Sequence, residues 1–130
     1  MSVILDTSIL IELQRGDQTV RREIQSLSRR FPATPSITFL NVFEYLVGIR
    51  TLTKRKAQAI KLLENFEVIN TTAKTAEVMA SLRSKYDKLG VVVSLSDLLI
   101  AGLAIENDML LVTSDKDFEV IKELRIKLVT

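Results

Sequence analysis

The 130 residues of this chain include no cysteine and no histidine, and 18 basic residues nearly balance 16 acidic ones. The missing residue types exclude disulfides, thiolate nucleophiles, Ser-His-Asp triads and zinc sites built from cysteine or histidine. If the protein is an enzyme, carboxylates must supply its chemistry, together with a cation that prefers oxygen ligands.

The length and the apolar content predict one domain over residues 1–130, since 47% of the residues are hydrophobic and can bury a core. No apolar run reaches the roughly 18 residues that cross a bilayer, and the N-terminus is typical of a strand rather than a leader peptide. We therefore expect a cytoplasmic protein without membrane contact. The four glycines form neither GxGxxG nor a Walker A loop, which excludes those nucleotide sites.

The first stretch of the chain predicts a buried strand that is followed at once by a helix. Val3–Leu5 is wholly apolar, as in a strand covered on both faces of a parallel sheet, and Ile9, Leu10 and Leu13 then recur at helical spacing. Asp6 lies between them, where a strand's carboxyl end meets a helix start, which is the usual ligand crevice of an open α/β sheet. A purely capping role is the alternative for Asp6.

Helices and strands are expected to alternate along the rest of the chain, which predicts right-handed crossovers and a parallel sheet with helices on both faces. The expected helices are 17–30, Thr38 to about Arg50, Thr53 to about Phe66, 73–89, an almost wholly apolar one over 98–105, and Phe118–Leu124. The expected strands after the first are 33–37, Val68–Ile69, Leu110–Thr113 and Ile126–Val129.

Two acids on helices can reach the same crevice as Asp6. Glu44 lies among large apolar neighbours, which favours a cleft-facing position, although it could instead be the capping-box partner of Asn41. Asp97 lies at the start of the apolar helix, where Ser94-x-x-Asp97 also has capping-box spacing.

Two more acids follow the fourth predicted strand. If the strand stays extended, Thr113 and Asp115 point the same way, so that Asp115 leaves a strand's carboxyl end as Asp6 does. Asp117 has the spacing of a capping pair with Ser114, which favours a structural role. Carboxylates gathered at one place repel one another unless a cation neutralises them or some are protonated. Mg²⁺ or Mn²⁺, which keeps several waters, fits such an oxygen-only site and can activate a water against a phosphodiester.

Four stretches together resemble the acidic motifs of PIN-domain ribonucleases, and the short length and first motif are similar to the VapC toxins of type II toxin–antitoxin pairs. The motifs are Leu5-Asp6-Thr7-Ser8, Glu44 with Gly48, Ser96-Asp97 with Ile100-Ala101, and Val112 to Phe118. The resemblance covers essentially the whole chain. It implies a PIN-like three-layer sandwich, with a five-stranded parallel sheet in the order 3-2-1-4-5, and RNA cleavage that depends on Mg²⁺ or Mn²⁺.

The resemblance also implies roles for individual residues. Asp6 and Asp97 would be the principal metal ligands, and Glu44 and Asp115 would complete the catalytic set directly or through water. Many relatives carry Asn at the position of Asp115 and place their acid later, before the Phe. Asp117 is therefore the alternative fourth acid, although Asp115 is favoured. The hydroxyls expected behind these acids are those of Thr7, Ser8 and Thr113.

The expected partners are an RNA substrate, a VapB-like antitoxin and a second copy of the chain. The helices after the first two strands carry more apolar surface than one sheet face needs, which indicates an interface. These apolar residues are Ile9, Leu10, Leu13, Phe43, Leu46, Val47 and Ile49.

Three alternative functions remain open from the sequence. A receiver-like module that binds Mg²⁺ and accepts a phosphoryl group would also have an acidic α/β pocket, but Thr7-Ser8 follows Asp6 where that fold carries paired acids. A dehalogenase-like phosphatase would need an acid where Ser8 stands. A PIN fold could also have lost catalysis and act only as a binding partner.

Overall fold

The computed structural model describes residues 2–50 and 56–129 of the chain. The predicted start of a helix at Thr53 lies outside these residues. In chain order the elements are β1 (Val3–Leu5), α1 (Thr7–Gln14), α2 (Gln18–Arg30), β2 (Ser36–Thr38), α3 (Phe39–Ile49), α4 (Lys56–Leu63), β3 (Glu67–Ile69), α5 (Ala73–Lys88), α6 (Leu95–Glu106), β4 (Leu110–Thr113), a 3-10 helix (Lys116–Val120) and β5 (Ile126–Leu128).

The five strands form one parallel sheet in the order β3-β2-β1-β4-β5, which confirms the predicted architecture. At the centre, β1 and β4 lie side by side with Leu5 opposite Val112. The pairing continues one step further, because the backbone N–H of Asp6 donates to the Val112 carbonyl at 3.0 Å. The segments that leave β1 and β4 therefore emerge together at one edge of the sheet.

Helices cover both faces of the sheet. Successive residues of a strand point to opposite sides, so each strand contributes to two cores. Ile4 and Leu111 pack in a core with residues of α5, α6 and the 3-10 helix. Leu5 and Val112 face the opposite core, which is built with α1 to α4. Helix α6 is buried along most of its length, as its nearly continuous apolar sequence predicts.

The last predicted helix, Phe118–Leu124, is wrong in both type and position. The structure has a 3-10 helix that begins earlier, at Lys116, because the Asp115 carboxylate accepts the N–H of Asp117 at 2.9 Å and forms the first turn. Ile121 is already extended and ends the helix. Strand β2 is also shorter than the predicted 33–37 and begins at Ser36. Nowhere in the described ranges is a helix long and apolar enough to cross a membrane.

Candidate active site

Asp6 lies at the carboxyl end of β1 and is 7% exposed. Its backbone is the N-cap of α1, but its side chain makes no capping hydrogen bond, so the purely capping alternative is wrong. Its Oδ2 accepts hydrogen bonds from the hydroxyls of Thr113 at 2.8 Å and Ser8 at 3.3 Å, and its Oδ1 accepts one from Asn41 Nδ2 at 3.4 Å. Burial raises the pKa of Asp6; these hydroxyls oppose the shift and the charge of Glu44 adds to it.

Glu44 is half-buried on α3 and is tied to the segment that carries Asp6. The hydroxyl of Thr7 donates to Glu44 Oε1 at 2.8 Å. Glu44 is not the capping partner of Asn41. Instead Thr38 and Asn41 form the capping box of α3, and the Glu44 carboxylate is bound by Thr7.

Asp97 lies in the first turn of α6. The predicted capping interaction is present, but it uses the backbone: the N–H of Asp97 donates to Ser94 Oγ at 3.2 Å. Burial raises the pKa of Asp97, and the neighbouring charge of Asp115 raises it further. The Asp97 carboxylate also interacts with the Ser94 side chain, whose hydrogen bond acts to lower the pKa of Asp97.

Asp115 and Asp117 both lie beside Asp97. One carboxylate oxygen from each of these three residues lies within 4.8 Å of the other two. The N–H of Asp115 donates to Thr113 Oγ1 at 3.0 Å, and that hydroxyl in turn donates to Asp6. The predicted capping pair of Ser114 and Asp117 is wrong, since Asp115 is the N-cap and its carboxylate accepts the N–H of Asp117.

The acids thus form two connected parts. Asp97, Asp115 and Asp117 form one group of oxygens. Asp6 is buried and Glu44 is half-buried, and both accept hydrogen bonds from hydroxyls. Ser8 joins the two sides of the site, because its hydroxyl donates to Asp6 and also accepts the N–H of Ser114 at 3.2 Å. An all-oxygen donor set of this kind fits Mg²⁺ or Mn²⁺.

Asn41, which the sequence pattern offers only as a capping partner, contacts the segment that carries Asp6. It is fully buried, and its amide contacts both Asp6 and Thr7. The sequence contains one signal for it, an amide in the middle of the otherwise apolar run Phe39 to Phe43, where an unpaired polar group is unfavourable.

The comparison with protein families decides the class of the chain. The family model described as PIN domain matches residues 3–124. The chain belongs to the PIN domain family. The resemblance that the four acidic motifs predict is therefore confirmed, and the receiver-like and phosphatase alternatives lose their support.

Relatives of this PIN domain include proteins named as VapC ribonucleases. It is 27% identical over 129 residues to ribonuclease VapC2 of Rickettsia felis, covering 95% of both chains. It is 26% identical over 103 residues to ribonuclease VapC3 of Methanocaldococcus jannaschii, covering 79% of this chain and 98% of that protein. One similar solved structure is that of VapBC2 from Rickettsia felis, bound to a DNA fragment from the VapBC2 promoter. It superposes with a TM-score of 0.84 at 25% identity, and the match covers all of both chains.

Proposed function

We propose that this PIN domain is a Mg²⁺- or Mn²⁺-dependent endoribonuclease and the toxin of a VapBC-type toxin–antitoxin pair. The observation that carries the proposal is the group of three carboxylate oxygens, from Asp97, Asp115 and Asp117, which lie within 4.8 Å of one another. They open at the sheet edge where Asp6 and Glu44 also lie. The names of the VapC relatives support RNA as the substrate.

A divalent cation held by these acids would acidify a bound water and stabilise negative charge on the leaving oxygen of a phosphodiester. Asp97 and Asp6 are the principal ligands in this proposal. Glu44 and Asp115 complete the set directly or through water, with Asp117 as the alternative to Asp115.

The chain has no histidine, so no imidazole pair can drive attack by the ribose 2′-hydroxyl. Water is therefore the nucleophile, and the products carry 5′-phosphate and 3′-hydroxyl ends. The purified protein should cut RNA in Mg²⁺ or Mn²⁺ and stop in EDTA, as followed by gel analysis with end-group labelling. Cleavage that survives EDTA, or products with 2′,3′-cyclic phosphate ends, would refute the mechanism.

The proposed partners are a second copy of the chain and a VapB-like antitoxin. Helix α3 carries an apolar face that the fold leaves in solvent: Phe39 is 67%, Phe43 55%, Leu46 39% and Val47 45% exposed. We call these four residues the α3 apolar face. Of the residues expected to form an interface, Ile9, Leu10 and Ile49 are instead buried in the core. Exposed apolar surface of this kind usually marks an interface.

The antitoxin part of the proposal is supported by solved relatives that are VapBC complexes. A basic side chain of a partner would be attracted to the acidic site and could silence it by pairing with the carboxylates. Titration of RNA cleavage with the product of the neighbouring reading frame tests this directly. Unchanged cleavage would reject the toxin assignment and leave the nuclease assignment standing.

A further inference from the structure

Asn41 is placed so that one buried amide serves two purposes. On one side, its Oδ1 accepts from the backbone N–H of Thr38 at 3.0 Å and from the Thr38 hydroxyl at 2.8 Å, which forms the cap of α3. On the other side, its Nδ2 donates to Thr7 Oγ1 at 3.0 Å and to Asp6 Oδ1 at 3.4 Å. The amide therefore connects the start of α3 to the end of β1.

The direction of these hydrogen bonds is fixed by chemistry. Because Oδ1 accepts from Thr38, the amide must turn its NH₂ group, which can only donate, toward the acids. The Thr7 oxygen accepts one of these protons, so its own proton is left for Glu44, to which it donates at 2.8 Å. The Asn41 amide, fixed by Thr38, thus sets the direction of the hydrogen bonds that reach Asp6 directly and Glu44 through Thr7.

We propose that Asn41 is a positioning residue that holds Asp6 directly, and Glu44 through Thr7, in the orientation that the metal site requires. The inference rests on the proposed function, since it assigns the metal to these acids. A residue that orients metal ligands from behind typically contributes tenfold to a hundredfold to metal affinity or activity.

The competing explanation is that Asn41 only caps α3. Thr38→Val separates the two, because it removes the hydroxyl that accepts from the Asn41 N–H at 3.0 Å but leaves the Nδ2 bonds to Asp6 and Thr7 in place. The backbone N–H of Thr38 still holds Oδ1 in that variant. If Asn41 only capped α3, Asn41→Ala and Thr38→Val would have the same effect on Mn²⁺ affinity.

The experiment is a calorimetric titration of the wild type, Asn41→Ala and Thr38→Val with Mn²⁺, at a temperature where thermal scans show each of them folded. Both variants should have a lower Tm than the wild type. Asn41→Ala should bind Mn²⁺ at least about tenfold more weakly than the wild type. The Mn²⁺ affinity of Thr38→Val should stay within about twofold of the wild type, because the bonds from Asn41 to Asp6 and Thr7 are unchanged.

Asn41→Asp is the second variant, in case Asn41→Ala does not fold. It keeps the acceptor for Thr38, and hence the cap, but puts an oxygen where the donor faced Asp6 and Thr7. At saturating Mn²⁺ its kcat for RNA cleavage should fall at least about tenfold with KM little changed. A kcat at the wild-type level would overturn the inference.

The inference is also overturned if folded Asn41→Ala binds Mn²⁺ as the wild type does, or if Thr38→Val loses as much affinity. A wild type that binds Mn²⁺ but cuts no RNA would refute the proposed activity, while the titration would still decide the role of Asn41. A wild type that binds no Mn²⁺ would refute both.

Discussion

The chemistry of the site depends on individual carboxylates, and burial makes their charged form less stable. Asp6 and Asp97 both have a raised pKa, chiefly because burial removes water from them. In Asp97 the charges of Asp115, Asp6 and Asp117 add to this effect. Keeping these groups ionised without a cation therefore destabilises the fold, which is the expected property of a site made to bind one.

The pH dependence of stability follows from the sign of this shift. Between the ordinary value of 3.8 and the raised pKa of Asp97, the folded state binds more protons than the unfolded state. Stability therefore falls as the pH rises through that window and stays lower at neutral pH. In EDTA, Asp97→Asn should raise Tm at pH 7, and the gain should vanish in acid below the window. Thermal scans over pH test this, with the exposed Glu64→Gln as control. An unchanged or lower Tm at pH 7 would contradict it.

The acids should differ in their importance for cleavage. Asp6→Asn and Asp97→Asn should abolish activity and leave the fold intact, because a neutral amide is a poor ligand for a hard cation. Glu44→Gln should be severe and Asp115→Asn milder. Rates at saturating Mg²⁺, with circular dichroism as the fold control, give the ranking.

Asp115 and Asp117 can be separated by the same assay. Neither change to Asn should greatly alter stability, since Asn caps a helix about as well as Asp and the cap bond uses only the backbone N–H of Asp117. If Asp117→Asn removes activity and Asp115→Asn does not, Asp117 is the fourth acid.

Tyr45 offers a test of a buried polar group outside the carboxylates. Its ring is fully buried, and its hydroxyl has no hydrogen-bond partner in the part of the chain that the structure describes. Tyr45→Phe should raise the free energy of unfolding by about 1 kcal/mol, because it removes an unsatisfied buried group.

The matched control is Tyr86→Phe. The Tyr86 hydroxyl donates to Glu123 at 2.6 Å and accepts the Lys122 N–H at 2.8 Å, so its loss should lower the free energy of unfolding by about 1 kcal/mol. Urea denaturation measures both. Equal losses in the two variants would show that the Tyr45 hydroxyl is satisfied in solution.

At the scale of the elements, helices α6 and α3 each contain a glycine, and the surroundings of the two glycines differ. Helix α6 is buried against α5, and a Cβ built on Gly102 would lie 2.9 Å from Met79 Cγ. Helix α3 instead exposes Gly48, whose Cβ would meet nothing within 4 Å. The first glycine permits close helix packing, whereas the second has no such role among residues 2–50 and 56–129.

The same substitution should therefore act differently in the two helices. Gly48→Ala should raise the free energy of unfolding by about 1 kcal/mol, through helix propensity alone. In Gly102→Ala the clash with Met79 should cost about 1–3 kcal/mol of stability. This cost should cancel or reverse the gain from helix propensity. Urea unfolding of both, and of Gly102→Ala in a Met79→Ala background, tests this. A Gly102→Ala gain that does not depend on Met79 would contradict the packing explanation.

At the scale of the whole molecule, the parallel sheet brings β1 and β4 side by side, so that segments from the two ends of the chain meet in one site. The hydrogen bond from Thr113 to Asp6 joins residues 107 positions apart. The α3 apolar face lies on the same helix as Glu44, so that any partner covering it would also lie near the acids.

Self-association should depend on this face. Phe43→Lys places a charge on a side chain that is 55% exposed, so it should reduce the dimer to a monomer and leave Tm little changed. Val68→Lys, at an apolar residue 44% exposed on the edge strand β3, is the control and should keep the wild-type mass. Multi-angle light scattering measures both. A wild type that is already monomeric would contradict the expectation.

The sequence alone was sufficient for the fold class and the order of the sheet. A short apolar run such as Val3–Leu5 is typical of a strand buried on both faces, and an acid directly after such a strand is expected at the sheet edge. The four motifs then predicted the PIN fold and its sheet order, both of which are confirmed.

The tertiary structure decided what each polar group contacts. Capping patterns depend on spacing alone, so Ser114-x-x-Asp117 was a good candidate until the structure placed Asp115 as the cap. Asn41-x-x-Glu44 had the same spacing, but Thr38, the residue at which the sequence predicts that helix to start, is the cap. The roles of Ser8 and Asn41 depend on hydrogen bonds across strands and helices that are distant in sequence. Local pattern contains no information about such contacts, because they form only when the sheet brings β1, β2 and β4 together.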